Sequence, residues 1–312
     1  MDNIEKKDIF LNRLANTFTD AEWLEYVGTQ VYKSFRIINR EHTDEILHEL
    51  DLNGIVVIES SVPNAYSVIK NFESLSSTNS FRNGDIYIQG LSSMLPVNCM
   101  NISADARVLD MTAAPGSKSI QLFYNNIDKN IELVLTEKDF KRYRNLLDNL
   151  KKYKVEHGVE AYNIDANFIA KIYPKYQGYF DNILLDAPCS TEIELNPNNL
   201  SSFKFWNTKK TSLLAKIQKQ LFSNAIKLLK PGGELIYSTC TYSVHENEEV
   251  IDFILNKFPN VYLDNIDLNI PNILDGLTLY QNKQFHSSLS KTKRVLPNEF
   301  MTGFYIAKLR LI

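Results

Sequence analysis

The 312-residue chain is poor in cysteine. It has three, Cys99, Cys189 and Cys240, too few and too scattered for a disulfide framework or a four-ligand zinc site, and no C-x-x-C pair occurs, so no metal is expected. It also lacks an excess of charge. The 34 lysines and arginines stand against 37 acids, for a net charge of −3. That excludes a polybasic chain that grips nucleic acid by bulk charge, though not a local basic groove. No apolar run approaches the ~18 residues a membrane helix needs. The first 30 residues set six acids (Asp2, Glu5, Asp8, Asp20, Glu22, Glu25) against Lys6, Lys7 and Arg13. Such a start fits neither a secretory signal nor an acid-poor transit peptide, so a cytoplasmic protein without a membrane partner is expected. No internal repeat or low-complexity tract stands out, and neither the phosphate loop G-x-x-x-x-G-K-[ST] nor the dinucleotide fingerprint G-x-G-x-x-G is present.

What remains is an ordinary globular composition, 44% hydrophobic and 23% charged, long enough for two modest domains or one large α/β domain. Residues 1–95 are mixed: the run Ile9 to Val31 suits helices, and Val56-Val57-Ile58 and Ile86-Tyr87-Ile88 suit short strands. From Arg107 the pattern alternates regularly. Strands are expected at 107–111, 131–136, 158–163, 180–186 and 233–238, and helices at 117–126, 138–152, 211–229 and 245–257. This alternation predicts a doubly wound parallel sheet, in which ligands bind outside the carboxyl ends of the strands. In helix 211–229 the residues Leu214, Ile217, Leu221, Ala225 and Leu228 form one apolar face. Lys216, Lys219, Lys227 and Lys230 lie opposite, as a solvated face or a phosphate-tracking stripe. Lys230-Pro231-Gly232-Gly233 should stop this helix. The Asn-rich segment 259–300 should hold loops and short edge elements.

The residues after each strand are therefore where chemistry is sought. Strand 107–111 runs into Asp110-Met111-Thr112-Ala113-Ala114-Pro115-Gly116-Ser117-Lys118. Small residues there let the backbone approach a ligand, and the helix starting near Ser117 offers free N–H groups. Glu137 follows the second strand, the place of an acid that binds ribose hydroxyls, or else of a helix-start acid. Asp165 follows the third strand, Asp186-Ala187-Pro188-Cys189-Ser190 the fourth and Ser238-Thr239-Cys240-Thr241 the fifth. Two of the three cysteines thus sit at strand carboxyl ends, where core filler has no reason to be. Cys99, with no motif around it, reads as filler.

Several segments closely resemble the Nop/Sun-type (RsmB/RsmF-like) RNA (cytosine-C5)-methyltransferases. These are Tyr87 through Pro96, Asp110 through Lys118, Asp186 through Ser190, Leu229 through Gly233, Tyr237 through Thr241 followed by Glu246-Asn247-Glu248, and the ending Thr302 through Ala307. The resemblance covers about residues 80–310 well and the first 80 weakly. It implies a small α+β N-terminal RNA-handling domain, 1–95, before a seven-stranded Rossmann-like class I methyltransferase domain, 96–312. No NusB-like or PUA domain is expected, and the chain is expected to act as a monomer. It implies S-adenosylmethionine as cofactor, held by Thr112, Ala113, Ala114, Pro115, Gly116, Ser117, Lys118, Glu137, Arg142, Asp165 and Asp186. It departs from the family at Thr112, where Cys is common, at Ser117, where Gly is common, and at Thr191, where Gly is usual.

Carbon 5 of cytosine is a poor nucleophile, and a thiolate added to carbon 6 makes it enamine-like. The resemblance assigns that attack to Cys240, the elimination to Cys189, the hold on the cytosine edge to Asp186 and orientation of the base to Lys118. The partner it implies is rRNA or tRNA, with the target base out of its stack. Two other readings stay open: a DNA cytosine methyltransferase that attacks with Cys189, and a non-catalytic RNA-binding or ribosome-assembly factor that keeps the fold. His245 reads as a helix-start residue on the surface, and Glu246 and Glu248 as acids that favour the helix N-terminus rather than catalysts. Phe203, Phe205 and Trp206 among Lys204, Lys209 and Lys210 suit either base stacking or, for Trp206, a core anchor.

Overall fold

The computed structural model describes residues 1–18, 22–155 and 157–312. Helix α1 (Asn3–Thr17) starts at a capping box: Asp2 accepts the Ile4 and Glu5 N–H groups at 2.8 and 2.9 Å, and Glu5 accepts the Asp2 N–H at 3.0 Å. The helical run expected over Ile9–Val31 continues past α1 only as a 3-10 turn at Glu22–Tyr26, and its residues 19–21 lie outside the described residues. Phe10 and Leu14 of α1 pack on Leu195, Phe203 and Trp206, so this helix leans on the later part of the chain.

Strands β1 (Lys33–Ile37), β2 (Val56–Glu59), β3 (Ala65–Lys70) and β4 (Ile86–Ile88) form an antiparallel sheet in the order β2-β3-β1-β4. Helices α2 (Thr43–Leu52) and α3 (Asn79–Asn83) belong to the same segment, and Phe35, Ile37, Ile46, Leu50 and Leu75 fill its core. The sheet meets the rest of the protein through Arg36. This buried guanidinium donates to Gln89 Oε1 at 3.0 Å and to the Ser117 carbonyl at 3.2 Å. Helix α4 (Leu91–Asn98) leads out of this segment.

The second sheet is built on β5 (Arg107–Asp110), β6 (Glu132–Thr136), β7 (Val159–Tyr162), β8 (Phe180–Asp186) and β9 (Leu229–Thr239), all parallel, with α5 (Ser117–Asn125), α6 (Phe140–Lys152), α7 (Ile169–Ile172) and α8 (Thr208–Leu228) between them. After α9 (Glu248–Lys257) come the short strands β10 (Val261–Leu263) and β11 (Ile273–Asp275), a two-stranded ribbon of β12 (Leu279–Tyr280) and β13 (Lys283–Gln284), then β14 (Lys293–Val295) and β15 (Phe304–Leu311). Seven strands in the order β7-β6-β5-β8-β9-β15-β14 carry the fold. The three-residue strands β11 and β10 pair with β14 and β15 and bring the sheet to nine.

Strand alternation explains the two layers. Val108, Leu133, Leu135, Leu184 and Ile236 face one side and pack with Leu95, Ile120 and Leu146. Their neighbours Leu109, Val134, Ile183, Leu185, Leu235 and Tyr237 face the other and pack with Phe222, Ala225 and Ile251. Both faces are covered, as a parallel sheet requires. The five expected strands all form, and β9 is longer than expected because Lys230-Pro231-Gly232-Gly233 lies within it: α8 ends at Leu228, and Leu229 already pairs with Phe180. The chain order reverses between β5 and β8, which opens a crevice at their carboxyl ends.

Candidate active site

A cavity of about 500 Å³ occupies that crevice. Every strand end expected to carry chemistry opens into it: Thr112 and Ala114 after β5, Glu137 and Arg142 after β6, Asp165 after β7, Asp186 and Cys189 at β8, and Cys240 after β9. Ala113 and Ser117 belong to the same loop. Its backbone turns at Gly116, which has φ +105°, where a Cβ would lie 2.9 Å from Leu146 Cδ1. Pro115 precedes it, exposed, and α5 starts at Ser117 as expected.

Glu137 is buried, and its carboxylate is held from two sides. Its Oε1 accepts the Asp139 N–H at 2.9 Å and its Oε2 lies 3.3 Å from Arg142, whose guanidinium also donates to the Ala114 carbonyl at 2.5 Å. Arg142 therefore fixes Glu137 against the loop. Asp165 caps the turn after β7 by accepting the Asn167 N–H at 2.9 Å. Phe168, half exposed, adds an aromatic face to the lining. Nothing in the sequence pattern marked Phe168; only the cavity shows it.

Asp186 sits at the centre. One carboxylate oxygen accepts from Lys118 Nζ and the other from Ser238 Oγ, each at 2.7 Å. Lys118 is held in turn by Ser93 Oγ at 2.7 Å and lies 5.5 Å from the Phe304 ring centroid. Ser93, Ser238 and Phe304 all fall inside the recognised segments, so the motifs contained these partners without showing what they touch. Thr112 Oγ1 donates to the Asp186 carbonyl at 2.7 Å. Asp110 is completely buried beside Ser119 and the Thr112 N–H, and burial pushes its carboxyl up to about 6.

The two strand-end cysteines, 51 residues apart in the chain, meet. Their sulfurs lie 2.9 Å apart and both are free thiols. The hydrogen bond to Cys240, then burial, pushes the Cys189 thiol well above its ordinary value. Cys189 thus holds its proton firmly, and the two sulfurs share a hydrogen bond in which either can donate.

Beneath the pair lies Glu246, which precedes α9 and turns inward instead of serving the start of that helix. Glu246 is fully buried and accepts the Ser190 N–H at 2.9 Å, the Ser190 hydroxyl, and Gln218 Nε2 at 2.9 Å. Gln218 also donates to the Pro188 carbonyl at 2.9 Å. One carboxyl thus ties both cysteine loops to α8, and burial pushes it up to about 7. Glu248 is buried as well, in a forked ion pair with Arg294. Helix α9 starts at Glu248, three residues later than expected, because Glu246 turns inward to reach Ser190. His245 keeps its expected surface place, half exposed against Glu249 at 2.9 Å. Trp206 is a core anchor, its Nε1 donating to Glu192 at 2.9 Å, and Phe203 is buried beside it. Cys99 is buried filler whose thiol burial pushes up to about 12. Among the described residues no group of three or more metal-binding side chains is placed to hold an ion, and no helix is long and apolar enough to cross a membrane.

Compared with known proteins, residues 97–310 match the family described as 16S rRNA methyltransferase RsmB/F. The chain belongs to this family. It is 31% identical, over 97% of its own length, to the 28S rRNA (cytosine-C(5))-methyltransferase of Mus musculus, and covers 38% of that protein. It is 34% identical to the tRNA (cytosine(49)-C(5))-methyltransferase of Pyrococcus abyssi, over 73% of this chain and 70% of the relative. The crystal structure of a methyltransferase homologue from Pyrococcus horikoshii superposes with a TM-score of 0.80 at 26% identity, covering 97% of this chain and 95% of that one. The chain spans only 36–43% of the length of the first four curated relatives. The expected family and α/β class are borne out.

Membership makes the departures informative. Thr191 stands in the left-handed conformation, φ 55° and ψ 40°, which explains why the family usually has Gly there. The loop keeps that shape with a Thr in it. Thr112, in place of Cys, gains a hydroxyl bond to the Asp186 backbone, and Ser117, in place of Gly, still opens α5.

Proposed function

We propose that the chain transfers a methyl group from S-adenosylmethionine to carbon 5 of a cytosine in rRNA or tRNA. The observation that carries this reading is the pair of thiols 2.9 Å apart beside Asp186 and Lys118 in the cavity that Glu137 also lines. The lining fits the cofactor in its donor set. Glu137, Asp165 and Asp186 offer acceptors for hydroxyl and amino groups and negative charge toward a sulfonium, while Phe168, Pro188 and Leu221 offer apolar surface. The residues that would hold it are the Thr112–Lys118 loop, Glu137, Asp165 and Asp186, with Arg142 acting through Glu137. When bound, S-adenosylmethionine supplies an electrophilic methyl group.

The chain's own residues account for the rest. Cys240, as thiolate, adds to carbon 6 of the base and the electron pair moves toward carbon 5. Asp186, steadied by Lys118 and Ser238, holds the cytosine edge while N3 takes a proton from water, which it gives back when the ring double bond re-forms. Carbon 5 takes the methyl group. Cys240 is now a thioether, so the first cause that held the Cys189 proton on is gone. Cys189 can then give that proton to solvent, and its thiolate takes the one on carbon 5. The electron pair of that C–H bond re-forms the ring double bond as the carbon–sulfur bond to Cys240 breaks. Cys189, protonated again, lies beside the departing Cys240 thiolate, which restores the pair. Residues 1–95 would handle the RNA and 96–312 the chemistry, in a monomeric cytoplasmic enzyme.

The test uses methyl-labelled S-adenosylmethionine with RNA or DNA and three variants. Cys240→Ala should bring turnover below about a hundredth of wild type, since covalent catalysis is worth several kcal/mol, and should form no adduct. Cys189→Ala should stall after methyl transfer, bonded to RNA in a complex that survives a denaturing gel. The double variant should behave like Cys240→Ala. An adduct with Cys240→Ala and none with Cys189→Ala, or methylation of DNA in place of RNA, would overturn the assignment.

A further inference from the structure

From residue 195 to residue 233 the chain carries seven lysines and not one acid. In a protein with net charge −3, a run of 39 residues with charge of one sign is a local basic surface of the kind that bulk composition hides. Packing then sorts these lysines. Lys219 folds back to 5.4 Å from the Phe253 ring centroid, Lys230 pairs with Asp181, and Lys227 donates to Asn224. The lysine face expected opposite the apolar side of this helix is thus largely used by the protein itself. Lys209, Lys210 and Lys216 are different: they are exposed, and among the described residues no ion pair engages them.

On α8, Lys209, Leu213, Lys216 and Gln220 recur at steps of 4, 3 and 4 and share about 60° of arc at 100° per residue. All four are exposed, Leu213 by 58%. The stripe runs about 17 Å along the helix and ends in the cavity, because Gln220 and its neighbour Ile217 line it together with Asp186 and Cys240. At the other end Phe205 stands 74% exposed, with the Lys204 ammonium 5.1 Å from its ring centroid. Cations interleaved with an apolar side chain and a bare aromatic ring form a backbone-tracking and base-stacking surface. A protein interface would instead be poor in lysine at its centre. A narrow stripe that leads into the cavity suits a single strand better than a duplex.

We infer that this stripe, Phe205–Lys209–Leu213–Lys216–Gln220, is the track for the single-stranded RNA that flanks the target cytosine. Lys209, Lys210 and Lys216 lie against its phosphates, and a base stacks on Phe205. The inference rests on the reading that the substrate is RNA. It is tested on the full chain with a fluorescent 20-nucleotide single-stranded RNA, the matching duplex, and methyl transfer to total RNA from cells lacking the gene. Lys209→Gln/Lys210→Gln/Lys216→Gln should raise the RNA KM about tenfold or more. It should reduce the slope of log affinity against log salt by about 0.7 per lysine, roughly two in all. The kcat at saturating RNA and the affinity for S-adenosylmethionine should stay within twofold. The matching triple Lys→Arg variant should restore the KM, and Phe205→Ala should weaken single-strand binding about five- to a hundredfold. Unchanged KM and salt slope in the triple Gln variant, or equal losses on single strand and duplex, would overturn the track. Failure of the wild type itself to methylate RNA would overturn the proposed reaction instead, and the binding measurements would still decide the track.

Discussion

Glu246 makes stability depend on pH in a direction opposite to that of most carboxylates. Its carboxyl is fully buried and raised from 4.5 to about 7, chiefly by burial. That places the cost of ionising it in the folded protein at about 3 kcal/mol. The unfolded chain loses this proton near 4.5 and the folded protein holds it until about 7, so the folded state binds more protons in between. The contribution is fully present below about 4.5, declines as pH rises, and is gone above about 8. Glu246→Gln keeps the shape, and an amide oxygen can still accept the Ser190 N–H, but it removes the titration. Urea unfolding of both proteins at pH 5, 6, 7 and 8.5 isolates the term, because every other titrating group cancels in the difference. The stability of wild type minus that of Glu246→Gln should fall by about 2–3 kcal/mol from pH 5 to pH 8.5. A difference that stays constant, or grows with pH, would show that the three donors on Glu246 outweigh its burial and that the carboxylate stays charged.

Other outcomes follow from single contacts. Glu137→Ala should weaken S-adenosylmethionine binding by roughly ten- to a hundredfold, about 1.4–2.7 kcal/mol by calorimetry; an unchanged dissociation constant would reduce Glu137 to a helix-start acid. Cys240→Ala should leave that dissociation constant within a few fold of wild type, since in the proposed mechanism its sulfur meets the base and not the cofactor. Thr191→Gly should stabilise the protein by about 0.5–1 kcal/mol in urea unfolding, because it relieves a left-handed β-branched residue. A loss of stability would show that the Thr191 hydroxyl contact to the Cys189 carbonyl, 3.4 Å long, outweighs the strain.

Much of this protein is local, and the local part is legible in the sequence. Strand–helix alternation from Arg107 marks β5 through β9 because each strand buries both faces and each helix one, and those periods differ. The doubly wound class then says that chemistry lies after the strands, which singles out Thr112–Lys118, Glu137, Asp165, Asp186, Cys189 and Cys240. Tertiary structure alone decided what those residues meet. The parallel neighbours β8 and β9 bring Cys189 within 2.9 Å of Cys240. A helix-start acid and an inward anchor for two loops look alike in one dimension: Glu248 does open α9, whereas Glu246 precedes it and turns inward to Ser190. The lysines from 209 to 230 likewise look alike in sequence, but Phe253 and Asp181 claim two of them, Lys219 on α8 and Lys230 on β9, and leave Lys209, Lys210 and Lys216 to solvent. Periodicity reports which face of its own element a side chain occupies. Which distant group waits on that face depends on strand order and helix packing, set by the burial of the whole core.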